Sequence, residues 1–399
     1  MLNRSGTLSI RRKIKAKSLP YIIIFLLLAG SVMAATILLV SYFLRLSNQL
    51  ESENLLIDNA RSVRNLCRSK RDIGLSYENI KEIENAVVKK NSWGVLDMIQ
   101  FKVWNQKDTL KETLFLGEKG DRDISLYIAK SSKKLKLGGN ILIEGDAYLP
   151  MGTYDELNIF QKINSIKFRG KINESLELLP NIRKFFIERK FKTISIEGGK
   201  TECYNSFFSE TKKIIVDNGV LEGIKLKGNI IVESPKKLTI KKGVELSNVI
   251  IIAPEVTIED GFVGEIQVLA SKKIKLGVNV KLNFPSVLYL NSNEEGVIRI
   301  EEKSTVMGAV IGFTSNGSCD IDIKEKTKIV GDLYCKGSLL FKGIMHGSMQ
   351  VNEFYYNTSE SKYKNASYNL QIFKLPSFAP QITIFNDKKA SSQILKCIK

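Results

Sequence analysis

An apolar-x-apolar triplet followed by a short polar or glycine-bearing turn recurs down most of this chain, and no other feature limits the fold as much. The triplets are Ile194-Ser195-Ile196 before EGG, Ile214-Ile215-Val216 before DNG, Leu238-Thr239-Ile240 before KKG and Val256-Thr257-Ile258 before EDG. They continue as Ile274-Lys275-Leu276, Ile298-Arg299-Ile300, Ile321-Asp322-Ile323 and Leu339-Leu340-Phe341, with starts 20, 24, 18, 18, 24, 23 and 18 residues apart. Alternation is the period of a strand, and a repeat near 20 residues is the period of a solenoid. Each rung then buries its apolar stripe only by stacking on its neighbours. The chain is thus expected to be mainly β, a parallel β-solenoid, and such bodies serve as scaffolds or binding rods more often than as enzymes.

Ile141-Leu142-Ile143 before EGD carries the same signature and reads as the first rung. The interval to Ile194 is too long for one turn, so an insertion is expected near 150–191. Glu174 to Leu179 and Asn181 to Phe191, punctuated by Pro180, read there as helices that cover an open end of the solenoid. The period then runs to about Phe354. The tail 355–399, rich in Ser, Asn, Tyr and Lys and carrying Pro376 and Pro380, loses it and is expected to be an irregular tail, partly ordered against the last rungs and partly loose.

The N-terminal end reads differently. Arg4, Arg11, Arg12, Lys13, Lys15 and Lys17 precede an uncharged run from Leu19 to Leu44. As a helix that run is about 39 Å long, enough to cross a hydrocarbon core of about 30 Å with some tilt. The basic cluster predicts a cytoplasmic N-terminus and places everything after Arg45 outside. A cleaved signal peptide is the competing reading, with Val32-Met33-Ala34 as the cleavage site, but the apolar run continues well past it. Beyond the span, Leu50, Leu55, Ile57, Ala60, Val63 and Leu66 recur as helix neighbours, so 45–92 is expected to be a helical stalk, with a second short helix at 76–83. Val95, Met98, Phe101 and Val103 lead into Asn105-Gln106-Lys107-Asp108, and Leu110 to Leu116 follow, which is a hairpin within a strand region at 93–140.

The formal net charge of +18 invites a nucleic-acid reading. Six of the positive charges belong to the N-terminal topology signal, and the rest are mostly lysines dispersed along strands and turns, such as Lys272, Lys273, Lys324, Lys326 and Lys328. Dispersed lysines blunt sheet edges and solvate a polar face, so no nucleic-acid partner is expected. Outside the membrane an anionic envelope polysaccharide is the compatible ligand class, alongside protein partners or self-association.

The five cysteines (Cys67, Cys203, Cys319, Cys335, Cys397) form no CxxC, and His346 is the only histidine. A Cys/His zinc site is therefore not expected. Cys319 and Cys335 are 16 apart, which leaves open either a cross-rung disulfide or two buried free thiols. His346 is the only group available for histidine acid-base chemistry, the alternative being an ordinary turn residue. Asp217, Glu222, Glu259, Asp260, Glu301, Glu302 and Asp322 fall mostly in turn slots. A vertical row of them would suit a polysaccharide lyase or hydrolase, whereas their interleaving with lysines suits solvated turns. Trp93 and Trp104 flank the first hairpin strand, and Phe160, Phe168, Phe185, Phe186, Phe207 and Phe208 cluster around the insertion, as cap packing or as a partner face. Walker A, strand-linked GxGxxG, nucleophile-elbow and HExxH patterns are absent. No catalytic, cofactor-binding or metal-binding residue, and no cofactor, is expected.

The segment Ile329-Val330-Gly331-Asp332-Leu333-Tyr334-Cys335-Lys336-Gly337, followed by Gly343-Ile344-Met345-His346-Gly347-Ser348-Met349, resembles the bactofilin and polymer-forming β-helix group over about residues 229–353. That resemblance implies a right-handed β-helix with a scaffolding or polymerising role. The order of basic N-terminus, apolar helix, stalk and β-region is also similar to type IV pilins and pseudopilins, although Gly6 is followed by Thr7-Leu8-Ser9-Ile10-Arg11 without the fifth-position glutamate. Hexapeptide-repeat acyltransferases resemble the chain in being solenoids with a catalytic histidine, but their six-residue period is missing. The whole layout resembles membrane-anchored β-helix proteins of Gram-negative bacteria. The expectation is a single-pass inner-membrane protein, N-terminus cytoplasmic, whose periplasmic β-helix has a structural, scaffolding or assembly role. A carbohydrate-active β-helix enzyme and a pseudopilin-like subunit are the alternatives.

Overall fold

The computed structural model describes residues 19–69, 78–79, 83, 85–119, 123–129, 131–159, 163–183, 185, 191–194, 201–385 and 392–398. It is mainly β, at 57% strand, and its body is a parallel β-solenoid of about ten turns with one long apolar N-terminal helix.

One coil shows how the sequence makes the body. Lys225–Gly228, Ile230–Glu233 and Lys237–Ile240 are three short strands on three faces. The next coil, Glu245–Ile258, lays its own segments beside all three in parallel register: Leu226 on Leu246, Val232 on Ile251, Leu238 on Val256. On the first and third faces the apolar residue points inward and the next one outward, as at Leu238-Thr239-Ile240. On the second face both directions are apolar: Ile230 and Val232 enter the solenoid core, while Ile231 enters a second core outside it. The segments 249–253 and 287–290 repeat this, which is the composition of strands buried on both sides.

The triplets therefore do not form one column. Ile194 and Ile214 stack on the second face. Leu238, Val256, Ile274, Ile298, Ile321 and Leu339 stack on the third. The step of 24 from Ile214 to Leu238 crosses between faces. The later steps of 24 and 23 reflect longer corner loops near 292–295 and 315–317.

Two kinds of corner hold the column. At the first-to-second corner Gly308, Gly331 and Gly347 sit at φ +142°, +129° and +135°, and a Cβ on Gly331 would lie 1.8 Å from the Gly308 carbonyl oxygen. Only glycine fits so close a backbone approach at positive φ. That is the structural content of the Gly331-Asp332 motif. At the third-to-first corner the left-handed position is filled in turn by Gly243, Gly261, Asn279, Lys303 and Lys326. Buried Ser304 bridges two coils there, donating to the Gly277 carbonyl at 2.8 Å and accepting from Val280 N–H at 3.0 Å.

The coils do not stack in chain order. Ile344–Asn357, the last long strand of the ascending column, pairs with Ile124–Ile128 on the second face and with Gln371–Phe373 on the first. Those two are followed by Asn140–Glu144 and Asp146–Leu149, and these by Ser165–Arg169 and Ile172–Glu174. The rung at Ile141 thus belongs to the solenoid but lies at its far end, beyond the C-terminal coils, rather than below Ile194. The stack reads 191 to 373, then 124 to 174, as if the chain had been circularly permuted.

This arrangement corrects the insertion. Residues 150–191 hold a 3-10 turn and the strands Tyr154–Glu156, Ser165–Arg169 and Ile172–Glu174; of the helices expected at 174–179 and 181–191, the described residues 174–183 and 185 carry none, and 184 and 186–190 lie outside the described residues. The chain has to return from one end of the rod to the other. It does so along the second face, where Ile182 bridges Phe385 and Phe185 lies 5.3 Å from Tyr289, ring centre to ring centre. The tail is ordered in part, as short strands separated by irregular stretches. Ala366–Tyr368 and Gln371–Phe373 enter the solenoid, and Ser392–Ile398 joins an antiparallel sheet. Leu370 and Ile372 are fully buried, which three-residue strands conceal from any periodicity search.

The antiparallel sheet comprises Ala86–Trp93, Leu96–Trp104, Thr109–Lys119, Pro380–Gln381 and Ser392–Ile398, with Glu78–Asn79 on the outer edge. The hairpin read at Asn105–Asp108 is present, whereas the short helix read at 76–83 is replaced at Glu78–Asn79 by strand; the rest of that stretch lies largely outside the described residues. The sheet lies between the solenoid's second face and the end of α1, Leu19–Ser69.

Candidate functional site

The region that most distinguishes this molecule from a bare solenoid is the seam joining α1, the sheet and the solenoid. α1 is continuous for 51 residues. Its first half is wholly exposed, including Tyr21, Phe25, Leu27, Met33, Leu38 and Phe43. Its last turns bury Leu56, Ala60, Val63 and Cys67 at i, i+4, i+7, i+11 spacing against Val88, Ile99, Phe101, Val103 and Leu114 of the sheet. The contact stripe keeps Ala60 and Val63 of the one expected from sequence, whereas Leu50, Leu55 and Ile57 are exposed. Arg64 locks the contact with a bidentate pair to Glu112, at 2.8 and 2.6 Å, and Glu112 is only 1% exposed. Removing one partner of such a pair strands a buried charge and costs about 3–5 kcal/mol. Asn105 Nδ2 adds a bond to Ser52 Oγ at 2.8 Å.

The other side of the sheet grips the solenoid. Trp93 is fully buried and donates its indole N–H to the Asn248 carbonyl at 3.1 Å. Buried Gln267 bridges the Trp93-Gly94-Val95 turn, donating to the Trp93 carbonyl and accepting from Val95 N–H, both at 2.8 Å. Phe207 stands edge-on to Trp93 and Phe115 at 5.2 and 5.5 Å. Trp93, Phe207 and Phe185 are thus packing residues of this seam. Phe168 stacks on Tyr154 at the far end, and Phe160 and Phe186 lie outside the described residues. Lys396 from the C-terminal strand pairs with Glu265, whose carboxyl burial pushes above its ordinary value. A pocket of about 260 Å³ lies beside it, lined by Tyr204, Lys227, Asn248 and Lys396.

The residues weighed for chemistry are not brought together. His346 lies within a first-face strand, between Val330 and Phe373, and stacks on the Phe373 ring at 5.1 Å. Burial, with Lys328 nearby, holds its pKa below the ordinary histidine value. The acids do not form a vertical row. Along one outward column of the third face the order is Lys237, Glu255, Lys273, Val297, Asp320, Ser338, Glu353. Glu259 pairs with Lys241 at 2.6 Å and Asp322 with Lys324 at 2.9 Å. Such pairs at exposed positions are screened by solvent and leave a solvated, charge-balanced surface.

Cys319 and Cys335 are free thiols in adjacent coils, the Cys335 thiol donating to the Cys319 carbonyl at 3.4 Å. Burial raises both pKa values, that of Cys319 to about 12. They serve as small apolar core residues. Among the described residues no group of three or more His, Cys, Asp and Glu is placed to hold a metal.

The fold and the seam define a class: a parallel β-solenoid carrying a helix long and apolar enough to cross a membrane. No family model, curated protein or solved structure matches the chain.

Proposed function

We propose that the protein is a single-pass, membrane-anchored β-helix protein of the cell envelope with a structural, scaffolding or assembly role, as in the bactofilin-like group it resembles. The observation that carries this reading is α1 itself. Among the described residues its apolar half stays exposed, while its last turns are locked to the sheet by Leu56, Val63, Cys67 and the Arg64–Glu112 pair. A helix with one half bare and the other half integral to the fold suits a retained anchor better than a removable leader. The basic residues before Leu19 favour a cytoplasmic N-terminus and a periplasmic solenoid. The same reading takes the chain as non-enzymatic: His346 is stacked between strand neighbours, and the acids are matched by lysines. Protein partners, self-association or an anionic polysaccharide are its expected ligand classes.

Flotation of the full-length protein with membranes tests the anchor, and protease protection in spheroplasts tests the orientation. The expected result is alkali-resistant membrane association with the solenoid digested only from the periplasmic side. Recovery of a soluble chain beginning near Ala34 would overturn the anchor in favour of a signal peptide.

A further inference from the structure

We propose that the tip of the Leu96–Trp104/Thr109–Lys119 hairpin is a second membrane contact, resting on phospholipid headgroups and holding the solenoid upright beside its anchor. The proposal rests on α1 being the anchor. The tip is rigid: the Asn105 side-chain oxygen accepts from Lys107 N–H at 2.9 Å and Asp108 N–H at 2.6 Å, and Asn105 N–H donates to the Asp108 carbonyl at 2.9 Å.

Its height follows from the helix. Asn105 is bonded to Ser52, and the apolar run ends at Arg45, so this contact lies about 10 Å beyond the hydrocarbon edge at 1.5 Å per residue. The headgroup layer on each side occupies about 5–8 Å. The direction of the strands closes the remaining gap. Glu112, further from the tip, meets Arg64, further from the membrane, so exposed Gln106 and Lys107 project below Asn105 toward the lipid.

The chemistry of the tip suits that place. Trp104, half-buried, pairs with Thr109 at the last step before the turn, next to the tip and close enough to report on a headgroup contact there. Exposed Lys107 at the turn and exposed Lys111 on the returning strand give this end of the hairpin positive charge beside Asp108. The same geometry sets the rod's posture. Lys102 lies over Phe208 and Gln100 donates to the Phe207 carbonyl, whereas Trp93 and Val95 meet Asn248 and Gln267, so the coils climb away from the membrane along the helix. The end that begins with the 191–194 strand and the 202–221 coil is membrane-proximal, and the 165–174 end is distal.

The chain has two tryptophans, and Trp93 is fully buried, which gives a direct test. Full-length protein is reconstituted into phosphatidylcholine/phosphatidylglycerol vesicles with and without nitroxide-headgroup lipid, and tryptophan emission is read on the floated fraction. Headgroup nitroxide is expected to remove the Trp104 share of the emission. Trp104→Phe should abolish the quenching, and the double variant Lys107→Glu with Lys111→Glu should reduce it without loss of flotation. Unquenched wild-type emission in protein that floats overturns the hairpin contact while leaving the anchor standing. Protein that does not float overturns the anchor itself. Quenching unaffected by the charge reversals overturns the role given to the lysines.

Discussion

The coils at 202–354 and those at 124–174 are made of the same strand pattern and share one core, yet they reach their neighbours differently. In the first set each coil meets residues about one turn away in sequence, as Lys241 meets Glu259 18 residues on. In the second, Asn140 N–H bonds the side chain of Asn369, 229 residues away, and Met349 stacks on Leu126. Stacking energy depends on what lies above and below, not on chain order, so the core continues across the splice without a break in burial. Chain order matters for closure: local coils form at little entropic cost, whereas the splice must close a loop spanning most of the chain. The difference also explains the return limb along the second face, which has no purpose in a solenoid wound in order.

The comparison can be broken most directly with matched core truncations. Leu126→Ala at the splice and Leu288→Ala in mid-column remove equally buried side chains, and each is expected to cost about 2–5 kcal/mol. If the stack is one cooperative unit, both lower the same calorimetric transition. A separate early transition in Leu126→Ala alone, with hydrogen exchange accelerated only in 124–174, would show that the splice is the weaker joint. Gly331→Ala comes next. Its Cβ would meet the Gly308 carbonyl oxygen at positive φ, so a loss on the order of 3 kcal/mol is expected in urea denaturation. A near-neutral result would mean that the glycine corner relaxes freely and does not set the coil spacing.

Lys326→Gly should act in the opposite direction. Lys326 is exposed at φ +60°, a conformation that costs a non-glycine residue, so the variant is expected to gain about 0.5–1 kcal/mol, read as a raised Tm. The smallest effect concerns pH at the splice, where His346 lies on Phe373. Its folded pKa is below 6.5 because of burial and Lys328, with Glu144 opposing. Below pH 6.5 the unfolded chain therefore takes up the proton more readily than the folded one, and stability falls as the pH drops toward the folded value. His346→Phe should flatten that limb of the urea-midpoint profile and leave the limb above pH 7 unchanged. A profile identical to wild type would remove His346 from the account.

Leu238, Val256 and Ile274 announce a solenoid because alternation with a constant period has few other physical outcomes. The doubled apolar content of Asn248 to Ala253 also carried a readable signal, that the second face is covered, but periodicity by triplets does not weigh it. The helix stripe was misread at Leu55 and Ile57 because an exposed stalk and a docked helix share one spacing, and which residues dock depends on the sheet. Arg64 and Glu112 lie 48 residues apart and nothing local pairs them. The strands at Ala366–Tyr368 and Gln371–Phe373 are too short to show a period, and they exist because Leu137, Ile143 and Met345 provide edges for them.

The solenoid, the long apolar helix and the hairpin are written in local segments, because each depends on periodicity, length or turn chemistry that one segment carries alone. The order of the coils, the covering of the second face and the docking of α1 come from packing between distant parts of the chain. These depend on edges and apolar faces that become available once distant parts of the chain have folded. Burial and backbone pairing then reward whichever segment fits, wherever it lies in the chain.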